Sequence, residues 1–207
     1  MNNKYLQNIC RKITPHIDPN LGISNEFIHE LCVILCPNYF RGVFSSHAFK
    51  SSASQHTEIG SIGRSNFFSI VVNVSVRPPP ANGHFVLIHA RPDRLIYLDP
   101  FGRPCSDDNL IPFIRNCRKT RSYHENLRVI QSPLSTFCGM YAVLFAMYFD
   151  FPTPPFKNLK WIKSDNPFVL LHNDKICIKY LNTLVKHMKM KRIHFHPKMN
   201  KLQMCLS

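Results

Sequence analysis

The sequence predicts a single domain that combines helices with strands, and three observations carry that expectation. Phe27, Ile28, Leu31, Ile34 and Leu35 recur at helical spacing behind a Ser24-Asn25-Glu26 start and stop before Pro37. From Phe68 to Val76 apolar residues fall on alternate positions, with Ser69, Asn73 and Ser75 among the others, as in a half-buried strand. The longest apolar run, Phe137 to Phe151, contains Cys138, Gly139 and Asp150 and falls short of the roughly 20 residues a membrane span needs. It therefore reads as a buried helix. At 207 residues and 44% apolar, the chain is long enough to bury one core, so residues 1–207 are expected to form one domain.

The remaining elements follow in order. Asn82-Gly83 marks a turn, after which His84 to His89 and Leu95 to Asp99 form two short β-like runs. Between them, Ala90-Arg91-Pro92-Asp93-Arg94 has the residues of a tight reversal. If the paired residue numbers of this hairpin sum to 183 or to 185, His84 and Asp99 lie opposite or diagonally on one face. An even sum would separate them. Leu110 to Asn116 suits a helix with Pro112 in its first turn, and Leu127 to Gln131 reads as a further strand. The Pro-rich pieces at 77–80 and 152–155 are too short to separate domains and read as loops.

Charge is the loudest compositional signal, with 26 Lys plus Arg against 12 Asp plus Glu. The region 157–201 holds eleven basic and two acidic residues, a net of +9 out of the chain's +14. A polyanionic partner, nucleic acid first among them, is the natural inference, set against a merely solvated lysine-rich surface. The N-terminus, MNNKYLQNICRKI, has no apolar h-region or small-residue cleavage site, so secretion is not expected. The eight cysteines then default to free thiols that are catalytic, metal-bound or simply buried.

Among those cysteines Cys138 alone stands at a helix start, where unpaired N–H groups and the macrodipole favour an anion such as a thiolate. A base is then needed. His84 is placed by a turn at a strand end, and Asp99 can accept its other ring proton and fix the tautomer. Gln131 precedes Cys138 by seven residues, near enough for its amide to join the Cys138 N–H as donors to a developing oxyanion. Taken one at a time these pairs are common on protein surfaces, and Gln131 has the alternative of capping a strand.

Together they resemble the adenovirus endopeptidases. Gly83-His84-Phe85 is similar to that family's Gly-His-Trp piece, Leu98-Asp99-Pro100-Phe101-Gly102 to its acidic Pro-Phe-Gly turn, and Gln131 with Phe137-Cys138-Gly139 to its seven-residue step from Gln to Cys-Gly. Upstream, Cys36-Pro37-Asn38-Tyr39-Phe40-Arg41-Gly42 resembles a Pro-Tyr-Phe-x-Gly segment. The match runs from about Cys36 to Phe149.

The resemblance implies an α+β, papain-like fold: a central mixed sheet flanked by helices, with the nucleophile at a helix N-terminus. It implies a thiol protease that cleaves viral capsid or core precursor proteins after small residues during virion maturation, in the virion and host nucleus. Cys138, His84, Asp99 and Gln131 take the catalytic positions, with no metal. DNA, bound without sequence preference, and a viral peptide are implied as activators rather than as cofactors of the chemistry. Three departures stand beside it. Phe85 replaces a Trp, the segment between Asp99 and Gln131 is shorter, and the nearest match to the family's peptide-bonding cysteine is Cys117, fourteen residues before Gln131. That disulfide is not carried over.

Two rivals remain. A ubiquitin- or SUMO-type protease uses the same order of His, acid, Gln and Cys. A non-catalytic nucleic-acid-binding protein with a zinc site would draw on Cys32, Cys36 and His29, although no second Cys/His pair has recognised zinc spacing and a core-facing cysteine pair is the simpler expectation.

Overall fold

The computed structural model describes residues 23–50, 58–74, 83–150 and 160–190, with side chains through 183. Asn82, the two Pro-rich pieces and the basic positions 157–159 and 191–201 lie outside the described residues.

Helix α1 (Asn25–Leu35) begins where the sequence places it, with the Ser24 side chain accepting the Phe27 N–H at 3.2 Å as an N-cap. It leads into β1 (Phe40–Ser45), a short 3₁₀ turn (Ser46–Phe49), α2 (Glu58–Arg64) and β2 (Phe68–Val74). The hairpin follows as β3 (His84–Ala90) and β4 (Arg94–Leu98), then α3 (Leu110–Cys117), a 3₁₀ turn (Arg118–Thr120), β5 (Ser122–Glu125), α4 (Cys138–Asp150) and α5 (Pro167–Met190). The five strands form one mixed sheet in the order β1-β2-β3-β4-β5, with β1 parallel to β2, the neighbouring pairs β2–β3 and β3–β4 antiparallel, and β4 parallel to β5. This is an α+β architecture with a central mixed sheet flanked by helices.

Both faces of the sheet are covered. On one side Val71, Phe85 and Leu87 pack with α1, α4 and α5; on the other Ile70, Val72, Val86, Ile88 and Leu95 pack with α2, α3 and Phe49 of the first 3₁₀ turn. Hence β2 is not half-buried as its alternation suggests: Ser69 is fully buried, its hydroxyl 2.8 Å from His89 Nδ1. Helix α4 is apolar nearly all round because it lies between the sheet and two helices. Its last residue, Asp150, accepts main-chain N–H bonds from Asn38 (3.1 Å) and Tyr39 (2.8 Å), tying the far end of α4 to the loop after α1. Cys32 and Cys36 both face the core. No described helix is long and apolar enough to cross a membrane.

The expected strand at 127–131 is corrected. The strand is β5, which starts five residues earlier, and Ile130 and Gln131 instead donate their N–H groups to Pro100 O at 2.9 and 3.1 Å. A polar Ser-Tyr-His-Glu stretch serves at that position because an edge strand need bury only one of its faces.

Buried His89 yields a prediction about stability. Burial, then the neighbouring Arg91 charge, depress its pKa from 6.5 to about 3, and its ring stacks on Phe149 at 4.1 Å. The folded state thus refuses a proton that the unfolded chain accepts. Stability is full above pH 6.5 and falls as the pH drops toward 3, by up to about 1.4 kcal/mol per pH unit from this group. Urea unfolding of wild type and His89→Gln between pH 7 and 4 should show a shallower acid loss in the variant. Parallel curves would refute the assignment.

Candidate active site

The hairpin register decides the site. β3 and β4 pair Leu87 with Leu98 and Ala90 with Leu95, which is the 185 register, so His84 and Asp99 sit diagonally at one end of the sheet. His84 Nε2 donates to Asp99 Oδ1 at 2.7 Å. The His84 ring stacks on Phe101, with centroids 4.9 Å apart. With Nε2 committed to the carboxylate, Nδ1 is left as the nitrogen for chemistry; it is buried with no N or O partner among the described residues, and the ring's other polar neighbour is the Cys138 sulfur.

Cys138 is the first residue of α4, and the first main-chain bond of that helix runs from Tyr141 N to Phe137 O. The Cys138 and Gly139 N–H groups therefore have no intrahelical acceptor. Cys138 is 8% exposed, and its Sγ lies 3.9 Å from Gly83 O. Gly139 is glycine for a packing reason: a Cβ there would come within 2.7 Å of Ile23 Cγ1 and 2.8 Å of Ile28 Cδ1, side chains that pack against the start of α4.

The Asp99-Pro-Phe-Gly turn is equally specific. Asp99 Oδ1 also accepts the Phe101 N–H at 2.7 Å, and Gly102 donates to Asp99 O at 2.8 Å with φ at +64°, a conformation that favours glycine. Burial alone would lower the His84 pKa. Its bond to Asp99 and its contact with Cys138 overcome that and hold the imidazole well above its ordinary 6.5, at about 9. A protonated imidazole beside a sulfur at a helix N-terminus is an arrangement that stabilises a thiolate.

A cleft of about 420 Å³ opens at these residues, lined among others by Ser24, Asn25, Asn73, His84, Phe101, Ser135, Thr136 and Cys138. Three of the four candidate residues, His84, Asp99 and Cys138, are thus brought together. Gln131 is placed differently. It is fully buried, does not line the cleft, and gives its amide nitrogen to Ser135, at 3.0 Å from the carbonyl and 3.3 Å from the hydroxyl. Its Oε1 has no hydrogen-bond partner among the described residues.

The structure adds residues that sequence reasoning did not single out. Asp174 of α5, 1% exposed, accepts from Tyr141 Oη of α4 at 2.9 Å and faces the Ser132 N–H at 3.4 Å. Its neighbour Asn173 donates to Ile130 O at 2.8 Å. These two anchor the loop that joins Gln131 to Cys138. Asn126, after β5, grips the main chain of Asp99. Side-chain bonds to distant main-chain groups leave no periodic trace in a sequence, so only the fold exposes them.

No protein-family model matches the chain, and no curated protein matches it. Among solved structures it is similar to a crystal structure of the ASFV pS273R protease, at a TM-score of 0.48 and 15% identity over 77% of this chain and 69% of that one. It is also similar to a structure of AvrA delL154 with IP6 and CoA, at a TM-score of 0.39 and 15% identity over 72% of this chain and 60%, less than two thirds, of that one.

Proposed function

We propose that this chain is a cysteine endopeptidase in which Cys138 is the nucleophile, His84 the base and then the acid, and Asp99 the group that orients the imidazole. The observation that carries the reading is the 2.7 Å His84–Asp99 bond on the ring whose other neighbour is the thiol of Cys138. In the resting pair the imidazole holds the proton and the sulfur the negative charge. The sulfur attacks the scissile carbonyl, and the oxygen, now an oxyanion, is met by the Cys138 N–H. His84 gives its proton to the departing amine, leaving a thioester. Water, losing a proton to His84, then releases the carboxylate product and restores the pair.

Gln131 is proposed as the second oxyanion donor, which requires its amide to turn from Ser135 toward the cleft as the substrate seats. Gln131→Ala should then lower kcat by on the order of 10²-fold with little change in KM, because the oxyanion exists only along the reaction path. Steady-state kinetics check this; an effect mainly on KM would make Gln131 a residue that shapes the substrate site instead.

The substrates we propose are viral capsid or core precursor proteins, cut during maturation in the virion and host nucleus. That part rests on the motif resemblance set out above. Incubating the protein with capsid precursors and with ubiquitin-like fusions tests it: cleavage of the precursors alone is expected, and cleavage of the fusions alone would favour the ubiquitin-like class. Failure to cut either, with no labelling of Cys138 by iodoacetamide, would overturn the enzyme reading.

DNA is proposed as a partner and activator. Arg121 donates to Arg91 O (2.8 Å), Ser65 O (2.8 Å) and Cys117 O (3.2 Å), and so gathers exposed Arg64, Arg91, Arg94, Arg118 and Lys119 at the end of the sheet away from the cleft. The nearby acid, Asp93, is paired with Arg94 at 2.8 Å. Such a surface suits phosphates met as charges rather than bases read by sequence. Affinity for two unrelated duplexes, followed by fluorescence anisotropy, should be equal and should fall with salt at a log-log slope of about −0.9 per phosphate contacted. A flat salt response would remove DNA as a partner. A viral peptide remains a proposed activator, but burial of Cys117 pushes its thiol up to about 11, which speaks against that residue as an attachment point.

A further inference from the structure

We infer that Asn126 is a positioning residue for Asp99: its carboxamide holds the main chain of Asp99 on both sides and so aims the carboxylate at His84. The inference rests on the protease reading above. β4 ends at Leu98, the last residue paired with β3, so the peptide groups of Asp99 lie beyond the ladder and need other partners. Asn126 supplies them. Its Oδ1 accepts the Asp99 N–H at 2.7 Å and its Nδ2 donates to the Asp99 carbonyl at 2.6 Å and to Arg128 O at 3.2 Å.

The clamp is itself fixed. Asn126 follows β5, whose Glu125 pairs with Tyr97 of β4, and its own N–H reaches Tyr97 O at 3.3 Å. One short planar amide thereby extends the β4–β5 pairing by a residue, where the ladder would otherwise stop. With the Asp99 main chain held, one carboxylate oxygen meets both the Phe101 N–H and His84 Nε2, each at 2.7 Å. Asparagine suits this place because it offers an acceptor and two donors on one plane. Aspartate has no donor, and alanine offers neither group.

The groups that act electrostatically on His84 are Asp99 and Cys138; Arg103 lies over Phe101, the ring stacked on His84, at 5.0 Å. Loosening Asp99 withdraws the first of the upward pushes on the imidazole, which leaves burial, a downward one, less opposed. A merely structural asparagine would alter stability without touching that titration.

The test is an NMR titration of the His84 ring in the full chain as wild type, Asn126→Ala and Asn126→Ser, alongside kcat/KM against pH and thermal unfolding. In Asn126→Ala the His84 pKa should fall from about 9 toward 6.5, the alkaline limb of kcat/KM should move down with it, and kcat/KM at neutral pH should drop about tenfold or more. Asn126→Ser, which keeps one hydroxyl for two main-chain groups and disturbs packing less, should fall between the two. A His84 pKa unchanged in both variants would overturn the inference, whatever happened to stability. A wild-type His84 that titrates near 6.5 in a protein without proteolysis would overturn the protease reading and this inference together. A raised wild-type pKa with unchanged variants would defeat the inference alone.

Discussion

Cys138→Ala is expected to lower kcat by on the order of 10⁵-fold while leaving the fold intact, because no other described cysteine can take over the chemistry. The contact of the sulfur with Gly83 O, at 3.9 Å, is long and weak, and the residue is already slightly exposed, so alanine leaves little void and the melting temperature should change only slightly. Cys138→Ser should be nearly as damaging, since its oxygen does not become an anion beside an imidazole as sulfur does. Alkylation separates the candidates. Burial raises the thiols of Cys36 and Cys177 and pushes those of Cys105 and Cys117 up to about 11, whereas Cys138 sits against His84 and lines the cleft. Iodoacetamide at pH 6, followed by mass mapping, should therefore mark Cys138 first. If a different cysteine is modified fastest, and its loss rather than that of Cys138 abolishes turnover, the assignment of the nucleophile is wrong.

The parts of this architecture that could be read in advance are those with local periodicity. The spacing of Ile28, Leu31 and Leu35 marks α1, and the apolar run from Phe137 marks α4, because each helix buries a continuous surface against the core. The hairpin around Pro92 was legible for a sharper reason: parity along two short strands links His84 to Asp99 whichever odd register is chosen, and the fold adopts one of the two. By contrast, β5 is too polar and short to announce itself, while the apolar 127–131 segment spends its hydrogen bonds on Pro100 rather than on a strand. Helix α5 was masked by its lysines, although Asn166 before Pro167 is a start signal: the Asn166 side chain accepts the Phe168 N–H at 2.9 Å. Residue types and spacing locate Gln131 but not the direction of its amide. That direction depends on Ser135, and on Asp174 and Asn173 reaching across from α5, contacts between segments about 40 residues apart.

His84→Ala should cost about as much as loss of Cys138, on the order of 10⁵-fold in kcat, because the ring that keeps the sulfur anionic for the attack also gives its proton to the departing amine. Asp99→Asn should leave measurable activity, since the base survives and only its orientation and charge are weakened. The double variant Cys138→Ala/His84→Ala is the sharper measurement. A nucleophile and base that work as a unit cannot be lost twice, so its kcat should lie within about tenfold of either single variant. Losses that multiply would mean that the two side chains act independently, and the pair would have to be abandoned as one catalytic device. The same imidazole also leaves a mark on stability, which needs no substrate. Its folded pKa is raised from 6.5 to about 9, so the stabilisation it brings is complete below pH 6.5 and is lost as the pH rises through 9. Urea unfolding from pH 6 to 9.5 should show that decline in the wild type and a flatter curve in His84→Ala. Equal slopes would mean that the proton is not held on His84, and the resting ion pair with Cys138 would have to be given up.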